Sequence, residues 1–293
     1  MKELSIKEAL EYRKSNKLKI GDNCLSIDTF EGDKYVDCPY REQNCQNKIC
    51  AKYMAHLDVN DDKIVQKEIK DMGFDMNNMQ MFELLMSMQS LFAEKFHKVK
   101  GLSKEEQDKF INMYLVCIED EVREVREHLN IYPDIKAHTN KVEMKKEIID
   151  ILHFMMDTFI CGNANFKDIE KYYLNEFSPL VSQVNSLFAY AIYNQTNELH
   201  KNYDGFGYDE TNLLLVNRLL DCSAEIRQCI SWKHWKKPSD HIDYDKLYTA
   251  FAHMFKIFID ICIINEMNED EIKEIYIKKN LENRRRQVWN YWC

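Results

Sequence analysis

The chain of 293 residues carries 49 acidic and 40 basic side chains, a net charge of −9 with histidine neutral, which excludes a polybasic nucleic-acid coat or a membrane-surface peptide. At 45% hydrophobic and 30% charged it has the apolar material for one large or two modest cores rather than a disordered tail. With only 7 glycines and 4 prolines, and no G-x-G-x-x-G or G-x-x-x-x-G-K-[ST] run, helices joined by few sharp turns are expected, and a bound nucleotide is not held by a glycine loop.

The start, MKELSIKEALEYRKSNKLKI, lacks the apolar centre of a signal peptide, and no apolar run approaches the ~20 residues that span a bilayer. The expectation is a cytoplasmic protein with reduced thiols. Residues 1–72 read as a small N-terminal extension, punctuated by Gly21, Gly32 and Pro39 and weak in periodicity. Its Cys24, Cys38, Cys45 and Cys50, spaced C-x13-C-x6-C-x4-C, could offer four thiolates to Zn²⁺ or an iron–sulfur cluster. Lacking C-x2-C knuckles, they read more readily as free cysteines in a loop-rich extension.

From residue 73 to 293 the pattern is helical. Apolar residues recur at steps of three and four through 81–101, 109–129, 145–160, 178–202, 213–230, 246–264 and 269–292, which predicts an all-α bundle of seven helices. The chain also repeats itself. Laying 118–131 over 219–232 puts Glu121 over Cys222 and Glu124 over Glu225; laying 150–160 over 250–260 puts His153 over His253. A degenerate repeat at about 178–265 follows, whose counterparts of Glu121, Glu124, Glu147 and Asp150 read Cys222, Glu225, Leu247 and Ala250.

Glu121 and Glu124 are three apart on one predicted helix, and Glu147 and Asp150 three apart on the next, so each pair shares a face. They interrupt apolar stripes, among them Ile118, Glu121, Val125 and Met144, Glu147, Ile151. Ordinary salt bridges to Arg123, Arg126, Lys145 and Lys146 are one explanation. Four inward carboxylates without cations would cost several kcal/mol each, exceeding a domain stability of about 5–15 kcal/mol, so a positive group between them is expected. Hard oxygens without histidine or thiolate in the same turn suit Mg²⁺ or Mn²⁺. Such a site is fitted to hydrolysing a nucleotide phosphate bond.

The last helix carries Tyr276, Lys279, Asn280, Asn283, Arg286, Gln287 and Tyr291, spaced Y-x2-K-N-x2-N-x2-R-Q-x3-Y. This is either a polyphosphate clamp or favourable placement of cations near a helix C-terminus. In the SWKHWKK segment, Trp232 and Trp235 could stack on a base or anchor a loop.

Glu121-x2-Glu124, Glu147-x2-Asp150 running into His153-Phe154, WKHWKK and the terminal Y-x2-K-N-x2-N-x2-R-Q-x3-Y together resemble the dimeric, all-α dUTPases within the wider all-α NTP pyrophosphatase (MazG-like) superfamily, over roughly residues 80–292. The resemblance implies Mg²⁺-dependent hydrolysis of dUTP, and of dUDP, to dUMP. It implies metal ligation by Glu121, Glu124, Glu147 and Asp150, with Glu124 orienting the nucleophilic water. Phe154 would pack on the deoxyribose and Gln89, in MQSLF, would contact uracil. Lys279, Arg286 and Tyr291 would hold phosphates, with Asn283 in the same motif, and Trp232 or Trp235 would reach the substrate from the second copy. The expected partners are a deoxynucleotide and a second copy of the chain, or an internal pseudo-dimer in its place, with no membrane and no nucleic acid. Alternatives are a related pyrophosphatase preferring dCTP or a modified nucleotide, and a non-catalytic helical interaction protein.

Overall fold

The computed structural model describes residues 62–75, 79–131, 140–231 and 242–288. Among them every regular element is a helix: α1 (Asp62–Asp71), α2 (Met81–His97), α3 (Lys104–Glu127), α4 (Lys141–Cys161), α5 (Phe166–Phe177), α6 (Leu187–Asn202), α7 (Tyr208–Cys229), α8 (Tyr244–Ile264) and α9 (Glu269–Val288). Residues 62–75 with 277–288 form one compact unit and residues 79–276 another, so α9 begins in the larger and ends in the smaller. Cys24, Cys38, Cys45 and Cys50, and with them the suggested zinc site, lie outside the described residues, as do Trp232, Trp235 and Tyr291.

Two helices depart from the periodicity reading. α5 falls between the predicted spans, although Phe166, Ile169, Tyr173, Leu174 and Phe177 recur at steps of three and four; what starts it is a capping box, in which the Asn165 side chain accepts from Asp168 N and the Asp168 carboxylate from Asn165 N at 2.9 Å. The stretch predicted as helical from 178 turns helical only at Leu187, where the Ser186 hydroxyl accepts from Ala189 N.

In the larger unit, α3 lies along α4 and α7 along α8, and α8 also packs against α4, α5 and α6. Phe82 of α2, Phe188 of α6 and Phe255 of α8 meet with ring centroids 5.1–5.5 Å apart, and all three are buried. Each such ring contributes roughly 1.5–3 kcal/mol on burial. α8 corrects one expectation: by length and composition it is apolar enough to cross a membrane, with mean hydropathy 1.7 over its most apolar window. That window is 67% buried within the fold, which accounts for its apolarity as core.

The features that would mark a duplication recur in a different register. α4 and α8 are both 21 residues long and start after side-chain caps, Asn140 and Asp243. Each is followed by a left-handed residue, Asn163 (φ 60°) and Glu266 (φ 56°), then an asparagine cap, Asn165 and Asn268, then a buried tyrosine, Tyr173 and Tyr276. Every member of these pairs lies 103 residues after its counterpart. Glu147 therefore matches Ala250, Asp150 matches His253, His153 matches Lys256 and Asp157 matches Asp260. For α3 and α7 the turn glycines Gly101 (φ 74°) and Gly205 (φ 89°) are 104 apart, as are Glu106 and Glu210, whose carboxylates accept from Ser103 N and Gly207 N at 2.8 and 3.0 Å. Glu121 thus matches Glu225 and Glu124 matches Gln228, not the Cys222 and Glu225 of the sequence alignment. A slip of three residues is close to one helical turn, so periodicity could not detect it.

Candidate active site

α3 and α4 bring Glu121, Glu124 and Glu147 together. One carboxylate oxygen of each lies within 4.8 Å of the others, and all three side chains are half-buried. Asp150, one turn beyond Glu147, is not among the three whose oxygens converge; its Oδ1 lies 3.8 Å from His153 Nδ1, which also meets the Ile149 carbonyl oxygen at 3.0 Å. The salt-bridge explanation holds for Glu124. Arg123 donates to Glu124 Oε1 at 3.2 Å and also binds Asp120 and Glu127. The other nearby cations are directed elsewhere: Arg126 to Asn217, Lys145 to Glu271 at 2.8 Å and Lys146 to Glu143 at 2.8 Å. Three hard oxygen donors on two adjacent helices fit a divalent cation of the Mg²⁺ type.

Phe154, the next turn of α4, is half-buried and stacks on Tyr114 of α3 at 6.3 Å between centroids. Tyr114 in turn places its hydroxyl 2.6 Å from His97 Nδ1. Burial raises the Tyr114 hydroxyl and lowers His97, so both stay neutral near pH 7. Gln89 sits deeper, 2% exposed, where the Tyr276 hydroxyl donates to its Oε1 at 2.8 Å. The Tyr276 ring lies flat on His153, 4.1 Å between centroids and 7° between planes. Gln89 also donates to Asp157 of α4, whose carboxyl burial pushes up to about 8.

Asp157 and Tyr276 complete a buried polar network that sequence reading did not assign. The available signal was an acid embedded in the apolar run FMMDTFI. In the second repeat the corresponding site is dismantled. Ala250 is buried, and His253 stands between Glu225 (Nδ1 to Oε2, 3.5 Å) and Glu176 (Nε2 to Oε1, 3.6 Å). One of the four carboxylate positions survives there, Glu225.

Lys279 and Asn283 are half-buried on α9 within the smaller unit, where Asn280 is buried and accepts from Arg284 Nε at 2.8 Å. Arg286 lies on the same helix. Ser231, the last described residue before the tryptophan segment, donates its N–H to Asp108 Oδ2 at 3.0 Å. Asp108 is thirteen residues, about 20 Å of helix, from Glu121.

A helical bundle that converges carboxylates from two neighbouring helices, with a neutral polar network behind them, suits phosphate chemistry on a small ligand rather than protein docking. A family model described as dUTPase matches residues 81–291, and the chain belongs to this all-α dUTPase family. It is accordingly a hydrolase of the dUTP diphosphatase type, which settles the choice against a non-catalytic interaction protein. No curated protein and no solved structure gives a match.

Proposed function

We propose that the chain hydrolyses dUTP to dUMP and pyrophosphate, and dUDP to dUMP and phosphate, with Mg²⁺ or Mn²⁺ held by Glu121, Glu124, Glu147 and Asp150. The convergence of the first three within 4.8 Å is the observation that carries this reading. Bound there, the cation would neutralise phosphate oxygens and lower the pKa of the attacking water. Glu124, whose Oε1 is already held by Arg123, orients that water as general base. Phe154 packs against the deoxyribose and disfavours a 2′-hydroxyl, and Gln89 reads the base. Lys279, Asn283, Arg286 and Tyr291 hold the phosphates.

The two repeats act within one chain as a pseudo-dimer carrying a single site. The exchange of tyrosines between repeats supports this: Tyr276, on the last helix of the second, bonds to Gln89 of the first, and Tyr173, on the last helix of the first, bonds to Gln195 of the second. Trp232 and Trp235 serve that site; unaltered KM in both Trp→Ala variants overturns their part. The principal experiment is hydrolysis of a panel of deoxynucleoside triphosphates, and of dUDP, with Mg²⁺ or with a chelator. Preferential, metal-dependent release of dUMP supports the assignment. No pyrophosphate from any triphosphate refutes it, and preference for dCTP transfers the assignment to a sister activity.

A further inference from the structure

Phe154 is half-buried, so part of its ring is open, and what stands behind the ring is specific. On α4 it follows Glu147 by two turns, about 10 Å along the same helix face. A wall at that distance from the converged acids is within reach of the sugar of a nucleotide whose phosphates meet the cation.

Tyr114 of α3, 1% exposed, backs that wall, its ring stacked on Phe154 with centroids 6.3 Å apart and planes 28° apart. Tyr114 is itself held by further contacts. Its hydroxyl lies 2.6 Å from His97 Nδ1 at the end of α2, the His97 ring is 6.0 Å from its own at 14°, and the Phe110 ring stacks on it at 6.2 Å. Rings from α2, α3 and α4 thus form one aromatic stack that ends at Phe154.

The second repeat does without these rings. At the places matching Tyr114 and Phe154, 104 and 103 residues on, stand Arg218 and Ile257; Arg218 Nη1 donates to the Tyr203 hydroxyl at 3.0 Å, and Ile257 is buried. The helix pair therefore tolerates a guanidinium and an aliphatic chain there, and the paired rings occur in the repeat that keeps the converged acids.

A wall excludes a 2′-hydroxyl only if it cannot give way by the size of one oxygen atom. A lone phenylalanine on a helix surface can lean aside or change rotamer, whereas one pressed against a buried ring of the next helix cannot do so without disturbing a close-packed core. Even a firm apolar wall rejects an added hydroxyl by only about 100-fold, so a wall that yields loses much of its selectivity.

We infer that Tyr114 is a positioning residue for sugar selection: by backing the Phe154 ring it fixes the surface that admits a deoxyribose and excludes a ribose. This rests on the proposal that Phe154 packs against the deoxyribose. Tyr114 lies behind that ring and not against the substrate, so its loss acts on the choice between dUTP and UTP and leaves turnover of dUTP nearly as it was.

The test compares kcat and KM for dUTP and UTP, with Mg²⁺, in the full chain and in Tyr114→Leu, Tyr114→Met, Tyr114→Phe, Arg218→Leu, Phe154→Ala and the double variant Phe154→Ala with Tyr114→Leu. Tyr114→Leu is expected to shrink the dUTP-to-UTP ratio of kcat/KM about tenfold, mainly through a lower KM for UTP, with kcat for dUTP changed less than about threefold. Tyr114→Met fills more of the space with a flexible chain, shows the same loss, and serves if the leucine variant does not fold. Tyr114→Phe keeps the ring and with it the ratio, at a lower melting temperature; a loss there as large as in Tyr114→Leu would assign the effect to the hydroxyl and overturn the inference. Arg218→Leu, at the matched place of the second repeat, keeps the ratio. Adding Tyr114→Leu to Phe154→Ala changes the ratio no further, because the ring it backs is gone. If Tyr114→Leu and Tyr114→Met, still stabilised by Mg²⁺, discriminate as the unaltered chain does while Phe154→Ala does not, the inference is overturned and the Phe154 reading stands. If Phe154→Ala keeps the full ratio, or the unaltered chain takes UTP as readily as dUTP, the Phe154 reading falls and the inference with it.

Discussion

Asp157 and Asp260 occupy matched places 103 residues apart, both buried and each hydrogen-bonded to a core glutamine, but of the two it is Asp260 that has an ammonium group beside it, Lys256 Nζ at 2.7 Å. The same carboxyl in the same fold position is therefore compensated in one repeat by an ion pair and in the other by holding its proton.

Burial raises the Asp157 carboxyl from an ordinary 3.8 to about 8. An acid raised in the folded state binds its proton more tightly there than in the unfolded chain. Its contribution to stability is therefore complete below about pH 3.8 and is lost as pH rises to about 8. Tyr114, Cys117 and Cys161, which feel its charge, are themselves raised and stay neutral over that range. Denaturant unfolding at a series of pH values is expected to show a falling component of at most about 1.4 kcal/mol per pH unit. Asp157→Asn removes that component; an identical slope in the variant contradicts the assignment.

Lys256→Met strips the compensating charge from Asp260, which is 1% exposed. The expected loss is about 3 kcal/mol near neutral pH, because an uncompensated carboxyl remains in the core. Adding Asp260→Leu to the same chain recovers a large part of it. Equilibrium unfolding of the single and double variants reads this directly, and additive losses would show that the two groups do not interact.

For the converged acids, Glu121→Gln and Glu147→Gln are each expected to abolish the rise in melting temperature on adding Mg²⁺ and to cut dUTP hydrolysis more than about 100-fold. Glu225→Gln, at the place matching Glu121 in the second repeat, leaves both unchanged. A Mg²⁺ response that survives both first-repeat substitutions would place the cation elsewhere.

Gly162, at the end of α4, is held by close approach. A Cβ there would lie 2.7 Å from two ring carbons of the fully buried Phe251, and the Gly162 carbonyl accepts the Tyr248 hydroxyl at 3.3 Å. Gly162→Ala is expected to cost about 1–3 kcal/mol by overpacking. Phe251→Leu in the same chain should relieve part of that cost in thermal melts.

The acid cluster was legible because Glu121, Glu124 and Glu147 each break an apolar stripe on consecutive helices, and helical spacing alone puts such acids on an inward face. The buried polar network was not. Gln89, Asp157 and Tyr276 lie on α2, α4 and α9, and nothing local marks a lone glutamine or tyrosine on an apolar face as the partner of a distant acid. The helix α5 was legible but missed: the Asn165–Asp168 capping box marks its start, and Phe166, Ile169, Tyr173, Leu174 and Phe177 follow at helical spacing.

What the sequence by itself determined is the all-helical class and the two acidic helices, and it pointed to a decayed second copy, since all three readings follow from periods of three and four residues along one chain. The tertiary structure decided the register of that copy, which turns and caps pin and periodicity leaves free by one turn. It also decided which buried carboxyl is matched by a lysine and which is left to a proton, because desolvation and hydrogen-bond partners depend on helices that only packing brings together.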